Sequence, residues 1–522
     1  MFVPEQPAGA PLQDHHFRTD YLLNDLKGRT VRGGAVTVTT QGLKFVLQTM
    51  STVVMARLLL PEDFGLVAMV FALIGFVLLF KELGLSTATV QRPEITHEQV
   101  NGLFWINVLL GLAVMAVLAA LSPAIAWFYG RPELLFITIG FAAMAPISSF
   151  GTQHSALLRR QMRFTSLAVR DLAALALGAA AGITAAWLGA RYWALVIMPA
   201  VSATTSVIAV WLASGWRPSR PKLGTQVRPL LRFGIHVSAA NFLSHIALNL
   251  DSVLLGYFYG PASLGIYSRA QHLLKTPLQQ MLAPIMDVAT PALCRVAPDG
   301  QRFNRAVCQL LRNVTLFTTL FVTLLMPTSD WVVRILLGPG WEESAQIFAV
   351  LALFGFIQPS AAMLSKSLVT YGRPGSLVKW RLFSVPVSTL GIIGGLPWGP
   401  MGIAAAYTAT NLVILVPLLL WYVSKKTSVV FTDALKAVAP LVLVGATVCS
   451  CLFLVRLTVT FSSMYVGLAT CVAIGSVLYA ALLMALPFGR EAVASVLDLA
   501  LPHSRFNAAW AAFRARAKAR RE

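Results

Sequence analysis

The sequence predicts an all-α polytopic membrane protein. It has about fourteen transmembrane helices, arranged as two six-helix lobes in pseudo-twofold arrangement around a central cavity, plus two C-terminal helices. Three observations predict this. The 522 residues are 57% hydrophobic and only 12% charged, about half the charge of a soluble globular chain. Basic residues are concentrated in every second connection between apolar runs. A proline-glycine signature recurs at a distance of 200 residues, at Pro61/Gly65 and Pro261/Gly265.

A crossing helix needs about 20 apolar residues. Such segments fall at 33–57, 64–84, 100–121, 134–156, 165–187, 191–213, 230–250, 264–289, 306–327, 345–367, 379–396, 400–422, 437–456 and 464–486. With Arg57, Lys81, Arg170, Arg191, Arg232, Arg312, Lys379, Arg381 and Arg456 counted in the connections they adjoin, 32 of the 41 basic residues belong to one set of alternate connections and 5 to the other, which leaves Lys44, Arg269, Lys275 and Lys366 within spans. A miscounted span would scramble that alternation. An even count with both termini cytoplasmic follows from the positive-inside rule. The net charge of +20 therefore reports topology and contact with anionic head groups, and nucleic acid is excluded as a partner. The polar first 30 residues lack the short apolar stretch of a cleavable signal peptide, so the first span is expected to act as its own insertion signal.

The expected organisation is a cytoplasmic N-terminal segment (1–29), an N-lobe (30–214), a cytoplasmic linker (215–229), a C-lobe (230–424), two further spans (425–487) and a basic tail (488–522). At an offset of 200, Arg32 pairs with Arg232, Gly34 with Gly234, Leu43 with Leu243, and the two Pro-x-x-x-Gly pairs coincide. Each signature is expected in the external turn after the first span of a half. The Gly-rich hairpins WLGARYWALVIMPA (187–200) and LPWGPMGIAAAYTA (396–409) join the fifth and sixth spans of each half. Both halves start on the same side, so the repeat runs parallel about the membrane normal. The plainer alternative is that Pro and Gly merely punctuate turns. The tail is partly amphipathic and reads as a membrane-surface helix or as a docking segment.

Polar residues within spans carry the functional signal. In span one, Thr37, Gln41, Lys44, Gln48 and Ser51 recur every three or four positions and share one helix face. In span seven, Ser238, Asn241, His245, Asn249 and Ser252 do the same. Such faces line a solvated cavity or a contact between halves; ordinary helix–helix hydrogen bonding is the alternative. Lys44 and Lys275 fall near the midplane, where a lysine costs about 2.5 kcal/mol or more, and no carboxylate near Lys44 in the sequence offsets this. Arg57 sits at the outer mouth, Arg269 lies closer to the outside, and Asp251 ends span seven. Lys366 reads as a snorkelling end residue. The candidate cavity residues are thus Lys44, Gln41, Gln48, Arg57, Asn241, Asn249, Asp251, Arg269 and Lys275. With lysines and few carboxylates at depth, such a cavity attracts an anion, and helices open to bilayer and water suit a lipid tail with an anionic head. His154, His236, His245 and His272 could titrate with a proton gradient, although each reads more simply as a core histidine.

Catalytic and cofactor signals do not occur. There is no GxxxxGK[ST] phosphate loop, HExxH or paired intramembrane carboxylate, and Cys449-x-Cys451 has no second ligand pair. No catalytic residue, metal ligand or cofactor is expected.

Several stretches, in order, resemble the Wzx-type polysaccharide and O-antigen flippases of the multidrug/oligosaccharidyl-lipid/polysaccharide superfamily. They are ARLLLPEDFGLVAM (56–69), HSALLRRQMRF (154–164), RYWALV (191–196), NLDSVLLGYFYGPASLGIYSRA (249–270) and LGPGWEESAQIFAVLAL (337–353). ALLRRQMRF and the paired turns most resemble the branch of colanic-acid and exopolysaccharide exporters. The resemblance implies a bacterial inner-membrane transporter that moves an undecaprenyl-pyrophosphate-linked oligosaccharide by alternating access. The implied partners are that lipid-linked substrate, membrane lipids, and a polysaccharide polymerase and glycosyltransferases. It also implies that cationic cavity residues engage the pyrophosphate, with Lys44 and Lys275 the local candidates, and it places Asp251 in an N-x-D pattern. Two other readings compete. A multidrug or cation antiporter of the same superfamily calls for midplane carboxylates. A non-transporting scaffold of a polysaccharide assembly complex would act through the tail.

Overall fold

The fold is that of a computed structural model. It describes residues 26–78, 86, 89–90, 95–220 and 228–500, with side chains except at 26–33, 35, 38, 76, 78, 228–248, 281, 284, 287–288 and 494–500. Among the described residues every regular element is helical.

Helices α1 (Leu26–Leu58), α2 (Pro61–Leu78), α3 (His97–Tyr129), α4 (Glu133–Arg160), α5 (Phe164–Trp187) and α6 (Trp193–Ser214) follow the first six expected spans. Helix α7 (Arg228–Val296) holds the seventh and eighth as two arms, broken at Gly260 with φ 78° and ψ −176°, a conformation that favours glycine. Next come α8 (Gly300–Leu325), the short α9 (Ser329–Leu336), and α10 (Glu342–Gly355) with α11 (Gln358–Thr370). The last two are bent by 44° and together occupy the tenth expected span. Then follow α12 (Pro374–Gly395), α13 (Gly399–Ala409), a π turn (Thr410–Leu415), α14 (Val416–Lys426), α15 (Phe431–Thr458), α16 (Met464–Ala485) and α17 (Pro487–Ala500).

Eight of these helical stretches are long and apolar enough to cross a membrane, and the α10–α11 pair makes a ninth if it is one span. The stretch from Pro374 to Lys426 runs for 53 residues, about 80 Å at 1.5 Å per residue, too long for one crossing. It folds back on itself: Gly391 lies against Thr410, and Gly395 and Gly402 meet backbone to backbone. The hairpin of α5 and α6 is built the same way, with Gly178 and Gly182 against Met198, Ser202 and Ala194. Small residues let membrane helices approach closely where lipid offers no hydrophobic drive.

Helix ends and kinks obey local chemistry. Thr96 and Gln99 form a reciprocal capping box at the start of α3, which satisfies two otherwise orphaned amides. Within α3, Pro123 lacks the N–H that would bond Ala119, and the Ser122 hydroxyl donates to that carbonyl instead, at 2.8 Å. The π turn ends just before Pro417, whose ring disfavours the ordinary helical bond at that level.

The chain divides into two compact units. The first comprises Met1–Ser268 and Leu336–Trp341, the second Arg269–Ile335 and Glu342–Glu522. In the first, Val100, Leu103, Phe104, Leu157 and Trp216 form a buried cluster. In the second, α15 and α16 pack on α8 through Leu316, Leu441, Val444, Val448, Leu452 and Cys471. There the Tyr479 hydroxyl donates to the Leu316 carbonyl at 2.9 Å.

One expectation is refined. Pro61 and Pro261 do not sit in loops after the preceding helix. Each opens the helix that follows, the position where its missing N–H goes unused and its fixed φ fits.

Candidate functional site

The polar stripe of α1 leads to an ion-pair network. Gln41 is exposed, Lys44 and Gln48 are half-buried, and Ser51 is buried. Lys44 Nζ lies 2.6 Å from Asp171 Oδ2 on α5, with both side chains less than a third exposed. The two residues are at matched heights, about 21 Å from Leu58 and about 24 Å from Trp187 along their helices at 1.5 Å per residue. Arg170 donates through Nε to Asp171 Oδ1 at 2.7 Å, and its Nη2 also contacts that oxygen. Its Nη1 donates to Ser155 Oγ at 2.9 Å. The sequence shows no carboxylate near Lys44; the fold supplies one from 127 residues away.

Beside this network lies a cleft of about 250 Å³ between α4, α5 and α6, lined by Ser148, Thr152, Ser155, Arg159, Arg170 and Ser206. In the sequence Arg159 and Arg170 stand only among the basic residues assigned to the alternate connections. The available signal was the Arg170-Asp171 pair two turns into an apolar helix, where ionised groups are rare and usually functional.

At the opposite end of the first unit the two Pro-x-x-x-Gly segments touch. A side chain at Gly65 would strike the Pro261 carbonyl, and one at Gly265 would strike the Pro61 carbonyl. The contact is reciprocal, as the repeat requires. Around it, Glu62 pairs with Arg131 at 3.7 Å and Arg191 at 3.8 Å, and Arg191 with Asp63 at 3.5 Å. The LGPGW segment closes the group. Buried Trp341 donates its indole N–H to the Ala56 carbonyl at 3.2 Å and stands edge-on to Phe64 at 5.5 Å. Arg57 is exposed, its stem against Gly338.

Asp251 is buried, with 4% of its surface exposed. It accepts from the Tyr267 hydroxyl at 2.9 Å and from the Ser252 amide at 2.7 Å, so it ties together the two arms of α7 on either side of Gly260. Asn249, two residues before it, is half-buried. The side chains of Asn241, Ser238, His236 and His245 lie outside the described residues.

In the second unit, half-buried Lys275 donates to Gln271 Oε1 at 2.9 Å, an amide where Lys44 meets a carboxylate. Arg269 is half-buried two turns earlier on the same arm. His272 is hydrogen-bonded to Thr276 at 3.1 Å, and buried His154 stacks on Trp211 with ring centroids 4.5 Å apart. Both fit the reading of histidines held in the core. The structure thus joins Lys44 to the α1 stripe and to Asp171, and it places Lys275 and Arg269 in a different unit. Among the described residues no cluster of His, Cys, Asp and Glu has the arrangement of a metal site.

A sequence model described as polysaccharide biosynthesis protein matches residues 54–346, more than half of the chain. The chain belongs to the polysaccharide biosynthesis protein family. Among relatives of this family member, the succinoglycan biosynthesis transport protein ExoT of Rhizobium meliloti is 25% identical over 350 residues, 67% of this chain and 70% of that one. The lipopolysaccharide biosynthesis protein WzxC of Escherichia coli is 23% identical over 399 residues, 74% of this chain and 80% of that one. Among solved structures, the lipid II flippase MurJ in an inward closed conformation superposes with a TM-score of 0.68 at 16% identity, covering 89% of this family member and all of MurJ. An inward-facing multidrug transporter of the MATE family superposes with a TM-score of 0.57 at 15% identity, covering 77% and 99%. The fold is therefore that of the superfamily the sequence resembles.

Proposed function

We propose that this family member is a polysaccharide transporter. It flips undecaprenyl-pyrophosphate-linked oligosaccharide units across a bacterial inner membrane, by alternating access, for exopolysaccharide or O-antigen synthesis. The observation that carries the reading is the family match over residues 54–346, and relatives named as polysaccharide transport and biosynthesis proteins support it. In this reading the chain crosses the membrane fourteen times with both termini cytoplasmic. Residues 30–214 and 230–424 form the lobes, 425–487 adds two spans, and 488–522 lies on the membrane surface. The work is transport without covalent chemistry.

The polar stripe of α1, with Gln41, Lys44 and Gln48, lines the substrate path, together with Asn241, Asn249, Arg269 and Lys275. Arg57 and Asp251 stand near the outer end. That end closes through the paired Pro-x-x-x-Gly turns while substrate is admitted from the cytoplasmic leaflet. A charged group inside an apolar bundle is retained where it serves a pathway, and Lys44 paired to Asp171 and Arg170 fits that role. The same pairing disfavours cation antiport, because Asp171 already faces two cations. A polymerase and glycosyltransferases supply and consume the cargo.

The test is made in the producing cell. Deleting the gene should abolish surface polysaccharide and leave lipid-linked units accumulated at the inner leaflet, and the wild-type chain should restore export. Undiminished polysaccharide in the deletion strain would contradict the proposal.

A further inference from the structure

The cleft between α4, α5 and α6 combines two kinds of polar group. Arg159 and Arg170 both reach it, and among the described residues no carboxylate lines it. Asp171 stands behind Arg170, where Lys44 and Arg170 already hold it. The Arg170 Nη1 group that faces Ser155 is bonded only to a neutral hydroxyl in the hydrogen bonds seen there. Arg159 is exposed and pairs with no carboxylate among the described residues. An oxyanion is a stronger acceptor for such guanidinium donors than a hydroxyl is.

The hydroxyl wall adds the second half of the specificity. Ser148 donates to Met144 O at 2.8 Å, Thr152 to Ser148 O at 3.3 Å and Ser155 to Gly151 O at 2.8 Å. Their protons are spent on their own helix, so toward the cleft these oxygens can only accept; Ser155 Oγ already accepts from Arg170 Nη1 and has one lone pair left. A ligand matched to both halves carries an oxyanion for the arginines and hydroxyl donors for the wall.

We propose that this cleft binds a hydroxyl-bearing phosphate ester, with the phosphate between Arg159 and Arg170 and the ester's hydroxyls against Ser148, Thr152 and Ser155. Two sources carry that chemistry: a glycerol-phosphate lipid headgroup, and the sugar phosphate of a glycosylated carrier lipid. The carrier source rests on the proposed function. The phospholipid source does not.

The test is lipid binding to the purified full-length protein in detergent, by native mass spectrometry. The probes are phosphatidylglycerol, a polyprenyl-phosphate-linked hexose and phosphatidylcholine, which lacks both a free hydroxyl and net negative charge. Arg159→Gln is compared with Arg163→Gln, which loses the same charge from a residue that donates to the Ala213 carbonyl. Arg159→Gln should weaken binding of one or both hydroxylated probes about tenfold, the weight of one charge-assisted hydrogen bond. Arg163→Gln should leave them within about twofold. Loss confined to the carrier assigns the cleft to cargo, and loss confined to phosphatidylglycerol assigns it to the bilayer; either supports the site. Unchanged binding in Arg159→Gln, equal losses in both variants, or phosphatidylcholine bound as tightly as the other probes would overturn it.

Discussion

Lys44 Nζ lies 2.6 Å from Asp171 Oδ2, joining α1 to α5 inside an apolar bundle. Removing one member of such a pair leaves an uncompensated charge, whereas replacing both by apolar groups is often nearly neutral. Asp171→Leu strands both Lys44 and Arg170 and should lower the stability of the purified protein by about 2–4 kcal/mol, read as thermal unfolding in detergent; Lys44→Ala leaves Asp171 its Arg170 partner and should cost less. The double variant Lys44→Met/Asp171→Leu should recover only part of that stability, because Arg170 still lacks its carboxylate, yet export little polysaccharide. Full export by the double variant would reduce the pair to a structural strut.

Gly65 and Gly265 each rest on the backbone carbonyl of the proline that opens the other segment. A carbonyl in a helix's first turn cannot swing aside as a flexible side chain can. Gly65→Ala and Gly265→Ala should each destabilise this contact by about 1–3 kcal/mol, as overpacking does. Spin labels at 62 and 262 report it. The wild-type protein should show a short-distance population that shrinks in either variant and shifts when substrate is supplied. A distance that never changes with variant or substrate would count against closure at this end.

Trp341 couples the LGPGW segment to α1 and α2 through one hydrogen bond and one ring contact. Trp341→Phe keeps an aromatic ring but loses the donor to Ala56 and part of the buried volume, with an expected loss of about 1–3 kcal/mol. Trp341→Ala loses both and should cost about 3–5 kcal/mol. Thermal unfolding of the two variants separates the contributions, and equal shifts would contradict them.

Asp251 and Tyr267 bridge the break at Gly260. Asp251→Ala leaves the buried Tyr267 hydroxyl without this acceptor and should destabilise by about 1–3 kcal/mol. Tyr267→Phe removes the donor alone and should be milder, because the carboxylate keeps the Ser252 amide. A larger loss in Tyr267→Phe than in Asp251→Ala would contradict the bridging role.

Much of this was legible in the sequence because it is periodic. The apolar runs, the alternating basic connections and the polar face through Gln41, Lys44 and Gln48 all depend on residues close together along the chain. The paired Pro-x-x-x-Gly segments were legible through their register, although their placement at helix starts follows from backbone geometry that the motif does not encode. Asp171 as the partner of Lys44 was not legible, since nothing local links residues 127 apart. The same holds for the cleft, whose arginines and hydroxyls come from three helices and from Ser86, and for Trp341, which belongs to the first unit although residues 269–335 before it belong to the second. The 44° bend between α10 and α11 does carry a local mark, Gly355 at the end of α10 and Pro359 in the first turn of α11, which a reading of one unbroken apolar span passes over.

The measurement that bears most directly on the central claim is translocation in proteoliposomes. Purified protein and a fluorescent undecaprenyl-pyrophosphate-linked oligosaccharide are reconstituted together, and a membrane-impermeant reagent then scores the fraction of glycan exposed outside over time. Transfer should run well above that of protein-free vesicles and fall with Lys44→Ala. Transfer no faster than in protein-free vesicles, at full reconstitution of folded protein, would contradict that claim.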